Sequence, residues 1–266
     1  MAQALEAQYG TDPGERAGEL AYHWAAAVQP VDTSKAIRYA QLAGDRALNQ
    51  LAPEEAVRWY TQALELLGRA SHSENRHRAE LLVGLGDAQR QCGIAAHRET
   101  LLEASRLADA VGDVDLLVRA VLSNNRGYVS SVGGVDNELI AAIDRALEFV
   151  GSQPAASRAR LLALRSGESW YLIDLAERVA LAEEAIGIAR RISDPAALGF
   201  AVTRTFASID HPSSLAMRGE RIDEALRIIN EVDDAAVQYQ LQTGGVDRGP
   251  RARRRYRDRE ASPSRS

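Results

Sequence analysis

The chain has 266 residues, 45% hydrophobic and 26% charged, which excludes an intrinsically disordered protein and leaves enough apolar surface for a sizeable core. A single cysteine, Cys92, excludes an internal disulfide framework; no charged-then-apolar leader follows Met1 and no apolar run is long enough to cross a bilayer, so a reducing, cytoplasmic setting is expected. The net charge of −5 is unevenly spread: residues 247–266 hold eight arginines against three carboxylates, which leaves the rest near −10, a poor match for nucleic acid or an anionic membrane.

Aromatics make up only 5% of the chain, and alanine and leucine supply most of the apolar surface. Both have high helix propensity, and β-branched runs are scarce, so the expectation is helices throughout. Residues 1–30 read as a helical lead-in with Leu5, Tyr9, Leu20, Tyr22 and Trp24, broken at Asp12-Pro13-Gly14 and closed by Gln29-Pro30. One of Asp32, Thr33 or Ser34 then caps the next helix.

From residue 31 a repeated design begins and is expected to run to 243. Ala40, Ala43, Gly44 and Ala47 line one face of a first helix; Ala56, Tyr60 and Ala63 line one face of a second, which Pro53 starts. Gly44, without a side chain, lets the second helix come close, and small and large residues alternating along one stripe let two antiparallel helices interlock. Leu82, Leu85, Gly86 and Gln89 repeat the first stripe, and Leu101, Ala104 and Leu107 the second. Further pairs are expected at Leu116–Arg126 with Glu138–Val150, Ala159–Trp170 with Arg178–Ile192, and Ala196–Ala207 with Ile222–Ile229.

One phrase marks the period. Ala63, Ala104, Ala146, Ala185 and Ala225 recur about every 40 residues in the same helical context, a spacing that belongs to stacked supersecondary units. Nine residues after three of them stand Asp113, Asp194 and Asp234, where a new helix should begin, so recurrent N-caps are expected rather than a row of acidic ligands. The fold class that follows is all-α: an α-solenoid of about five to six antiparallel, tetratricopeptide-like helix pairs. Beyond Gly244-Gly245 the pattern stops, and residues 244–266 read as a disordered, arginine-rich tail.

Motifs that carry chemistry are harder to find. A phosphate-binding loop needs a lysine after spaced glycines, and the only lysine, Lys35, follows Asp32-Thr33-Ser34. The Gly127–Gly134 loop lacks the Gly-x-Gly-x-x-Gly spacing, so a nucleotide-binding enzyme is the weaker alternative. His72, His77, Cys92 and His97 do not have metal-ligand spacing, and no third residue completes a Cys92–His97 nucleophile pair. His23 beside Trp24 reads as a packed helix residue, and Trp59-Tyr60 and Trp170-Tyr171 read as core. The tail has one aromatic, Tyr256, and so no base-stacking platform. No catalytic, metal or cofactor-binding residue is assigned, and no cofactor is expected.

Several phrases resemble one family. Glu19-Leu20-Ala21-Tyr22-His23-Trp24, Ala43-Gly44-Asp45-Arg46-Ala47, Glu55-Ala56-Val57-Arg58-Trp59-Tyr60 and Arg98–Ala104 look like the helical-repeat region of large bacterial STAND-class ATPase regulators, LuxR-type or cyclase-linked. Arg126-Gly127-Tyr128 followed by Gly134-Val135-Asp136 is similar to that region too. The resemblance spans Leu5 to Gln242 and implies that residues 1–30 correspond to the exit from a winged helix. It also implies a non-catalytic sensor and protein-interaction role in signal transduction or transcriptional regulation. The expected partner is a protein or peptide, with an ATPase domain encoded nearby a leading candidate, and neither a specific nucleic acid nor a membrane. The ATPase and helix-turn-helix of the family fall outside the matching phrases, so none of their functional residues carries over. A fragment of a split or frameshifted regulator is the alternative within the same family.

Overall fold

The computed structural model describes residues 2–9, 13–26, 33–69, 75–125, 134–227, 231 and 238. Among them lie twelve α-helices and no strand: α1 Ala2–Tyr9, α2 Ala17–Ala25, α3 Thr33–Asn49, α4 Pro53–Arg69, α5 Asn75–Gln91, α6 His97–Val111, α7 Val114–Ser123, α8 Asn137–Val150, α9 Ala156–Glu168, α10 Leu175–Arg191, α11 Pro195–Ser208 and α12 Leu215–Arg227. The chain is all-α. Among the described residues no helix is long and apolar enough to cross a membrane. The tail, Asp12, Gln29-Pro30, Asp32, His72, Asp234 and the Gly127–Gly133 stretch lie outside the described residues.

The chain divides into two compact units, residues 1–124 and 125–266. In the first, each helix packs on its chain neighbour from α1 to α7, and α3 and α7 also touch α5. In the second, α8 packs on α9, α9 on both α10 and α11, and α11 on α10 and α12. Main contacts that run to the next helix and the one after are the signature of a solenoid, in which each repeat leans on its neighbours.

One turn geometry recurs between these helices. Gly112 adopts φ +70° after α6; the Asp113 amide then donates to the Ala108 carbonyl at 3.0 Å, while the Asp113 carboxylate accepts from the Leu116 amide at 3.0 Å. The left-handed residue satisfies the orphan carbonyls of one helix, and the next residue satisfies orphan amides of the following one. Ser193 (φ +53°) and Asp194 repeat the device between α10 and α11, with Asp194 accepting from the Ala197 amide at 2.9 Å. Leu51 (φ +57°) and Gly93 (φ +70°) close α3 and α5 with the same left-handed step. Asp136 and Asp174 cap α8 and α10 in the same way, at 3.1 and 2.9 Å.

The first core surrounds Tyr60. Its ring lies between α3 and α5: a Cβ added at Gly44 would meet the ring at 2.9 Å, and one added at Gly84 would meet it at 2.3 Å. Helix α4 therefore presses against two neighbours through one aromatic residue. The Tyr60 hydroxyl donates to Asp45 Oδ1 at 2.5 Å, and burial together with that carboxylate raises its pKa well above the ordinary phenol value. The second core gathers Leu162, Ala163, Ala185, Ile186, Ala189, Ala201 and Val202 from α9, α10 and α11.

Candidate interaction surface

The recurring positions from Gly44 to Ala185 are interior. Ala56, Ala63, Ala104, Ala146 and Ala185 are each 0% exposed, Tyr60 is 2% exposed, and Gly44 and Gly86 are buried. A Cβ at Gly86 would meet Leu101 Cγ at 2.4 Å, so α6 closes on α5 where α4 closes on α3 at Gly44. Ala225 lies on α12. The eight positions other than Ala225 are committed to packing and leave nothing to present to a ligand.

The residues considered for chemistry are dispersed. Cys92 sits half-buried just past α5, where desolvation and then the Glu54 charge raise its thiol pKa, which disfavours the nucleophilic thiolate. His97 begins α6 with Nδ1 2.9 Å from the Ile94 carbonyl oxygen, and His77 Nε2 lies 3.0 Å from Gln41 Oε1. Among the described residues no three His, Cys, Asp or Glu side chains gather to hold a metal ion. A shallow depression of about 410 Å³ at the α6–α7 turn is lined by Arg76 and residues 111–115, but there Arg76 Nε already donates to Asp113 Oδ2 at 2.9 Å.

The second unit holds a polar layer that the sequence pattern did not announce. Ser166, Glu168 and Ser169 at the end of α9, and Thr203, Arg204, Thr205 and Ser208 on α11, are all buried. Glu168 and Arg204 form an ion pair with side chains 0% and 3% exposed. Gly167 makes room for it: a Cβ there would lie 3.1 Å from Arg204 Nε. The Ser166 and Ser208 hydroxyls stand 2.9 Å apart, and Ser166 also reaches the Arg178 carbonyl at 3.1 Å. Desolvating such a pair offsets much of its Coulombic attraction, yet removing one partner would strand a buried charge at a cost of about 3–5 kcal/mol. The layer therefore fixes how the C-terminal ends of α9 and α11 meet.

Directly after this layer comes a clamped turn. The Ser169 hydroxyl donates to the Arg165 carbonyl, and Arg165 Nε donates to Asp144 Oδ1 of α8 at 2.6 Å. The Leu172 and Ile173 amides return to the Ser169 carbonyl at 3.0 and 3.2 Å. Arg178, reaching back from α10, donates to the Trp170 carbonyl at 2.5 Å and the Ile173 carbonyl at 3.3 Å, and its guanidinium carbon lies 4.9 Å from the centroid of the Trp170 ring. The turn so held displays three consecutive large apolar side chains: Trp170 is 37% exposed, Tyr171 59% and Leu172 46%.

Trp170 and Tyr171 are therefore not core, contrary to the reading from helical spacing. Helix α9 stops at Glu168, two residues short of Trp170, so the stripe that would have carried both rings inward ends first. A signal was present. Asp174-Leu175-Ala176-Glu177 is a capping-box sequence, and it places the next helix start at 175, with a turn before it. Of the other paired aromatics, Tyr60 is buried, and Trp59 is partly buried, packed against the same core and close over Gly18, with its indole donating to Glu55.

No protein-family model matches the chain, and no curated protein matches it.

Proposed function

We propose that this chain is a non-catalytic helical-repeat binding module that receives a protein or peptide partner at the α9–α10 turn. The observation that carries this reading is the Trp170-Tyr171-Leu172 triplet, exposed on a backbone held by Arg178, Ser169 and the buried Glu168–Arg204 pair. Single exposed apolar residues are ordinary on protein surfaces; a contiguous aromatic and aliphatic patch on a rigid support is the form that interaction sites take. Rigidity matters because side chains already held in place lose little entropy when a partner binds. Trp and Tyr supply large contact areas with few rotatable bonds.

The phrases shared with the helical-repeat region of STAND-class regulators extend the proposal to signalling or transcriptional control in the cytoplasm, with an ATPase domain encoded nearby as the first partner to try. The test is calorimetry of the chain with that ATPase domain, using the wild type and a Tyr171→Ser/Leu172→Ser variant. The reading expects a complex that the variant weakens at least tenfold, on the order of 1.4 kcal/mol, without a change in its thermal melting. A complex of equal affinity with both chains, or none with either, overturns it.

A further inference from the structure

We infer that the α9–α10 turn accepts an arginine-bearing segment of a partner protein, an inference that rests on the docking reading above and adds its chemistry. Trp170 already holds a guanidinium, that of Arg178, at 4.9 Å from its ring, and the neighbouring Tyr171 ring is the more exposed of the two. Two carboxylates stand just beyond, Asp174 and Glu177, both exposed and neither in an ion pair with another described residue. The local cations are engaged: Arg178 by Trp170 and two carbonyls, and Arg165 by Asp144. The turn thus presents an exposed tyrosine ring followed, three and six residues along the chain, by two exposed carboxylates that form no ion pair with a described residue, so that with Arg178 the local charge sums to −1. A planar guanidinium suits such a site, because it stacks on the ring while its N–H groups bond a carboxylate, whereas a lysine ammonium matches only the charge.

Fluorescence anisotropy on the full chain tests this, with a labelled peptide of alternating arginine and glycine and its lysine counterpart as probes. The arginine peptide is expected to bind about tenfold tighter than the lysine peptide. Tyr171→Ala, and separately Asp174→Asn/Glu177→Gln, should each weaken it by about tenfold, with Tyr171→Phe retaining affinity. Asparagine keeps the helix cap, so the carboxylate variant folds. Equal binding of both peptides, or binding indifferent to these variants, overturns the inference in favour of bulk attraction to an acidic body. Much tighter binding by a chain ending at Gly245 identifies this chain's own arginine-rich segment as the occupant, and self-association lost in Tyr171→Ala identifies a second copy; either overturns the assignment to a partner. A chain that binds a partner through Tyr171 and Leu172 yet ignores the arginine peptide keeps the docking reading and loses only this one.

Discussion

Leu51 and Ser193 hold left-handed backbone, at φ +57° and +53°, where the equivalent turns use Gly93 and Gly112. An L side chain in that region is strained by about 1–2 kcal/mol, part of which is returned because glycine is freer when unfolded. Leu51→Gly and Ser193→Gly are therefore each expected to raise the thermal midpoint, and Gly112→Ala to lower it, in a calorimetric scan. At Leu51 the gain costs no core, because that side chain is 83% exposed. Gly84 is the opposite case. A methyl group there would overlap the Tyr60 ring, so Gly84→Ala should destabilise by about 1–3 kcal/mol or more in a urea titration, whereas Gly68→Ala, whose Cβ would meet nothing within 4 Å, should not. The part played by Gly44 can be read from its place on an alanine stripe. That of Gly84 cannot, because it faces the preceding pair and only the assembled stack brings Tyr60 onto it.

For the elements, sequence pattern and structure agree where burial follows a simple period. Asp113 and Asp194 cap α7 and α11, and Pro53 opens α4, because caps and helix starts depend on local chemistry that neighbouring residues determine. The polar layer was illegible for the converse reason: Ser166, Glu168, Arg204 and Ser208 look like solvent-facing residues until α9 and α11 are laid side by side. Ala146 and Arg145 test the periodic reading within one helix. Ala146 is fully buried on α8, whereas Arg145 pairs with Glu148 at 3.1 Å on the exposed side and lies over the Phe149 ring. Ala146→Arg should lower the melting temperature far more than Arg145→Ala, and equal shifts would remove Ala146 from the helix contact.

At the scale of the whole molecule, each of the two compact units carries a carboxylate whose ionised form the fold favours. Glu6 accepts from Lys35 at 2.7 Å and from Tyr39 at 2.8 Å, and the lysine bond foremost lowers its pKa from the ordinary 4.5. Glu224 is lowered chiefly by its hydrogen bonds from Arg190. A depressed carboxylate contributes stability that is fully present above its unfolded pKa and is lost as pH falls through the folded one. Stability should thus be level down to about pH 5 and fall below pH 4.5, and Glu6→Gln and Glu224→Gln should each flatten part of that acid limb in pH-dependent melts. Both side chains are partly exposed, so salt should shrink the effect. The all-helical, serially packed architecture was legible because a period near 40 residues repeats in alanine and leucine. The division between residues 124 and 125 was not, since it falls in what reads as the middle of a third pair, Leu116–Arg126 with Glu138–Val150.

The central claim is that the molecule acts through the side chains it displays at the α9–α10 turn. Hydroxyl-radical footprinting, read by mass spectrometry with and without a bound partner, tests it most directly. In the free chain Tyr171 and Leu172 should label heavily while Tyr60 is protected, and binding should protect Tyr171 and Leu172 several-fold. Labelling of Tyr171 and Leu172 that is the same in the free and bound chain, with protection arising elsewhere, would contradict the account.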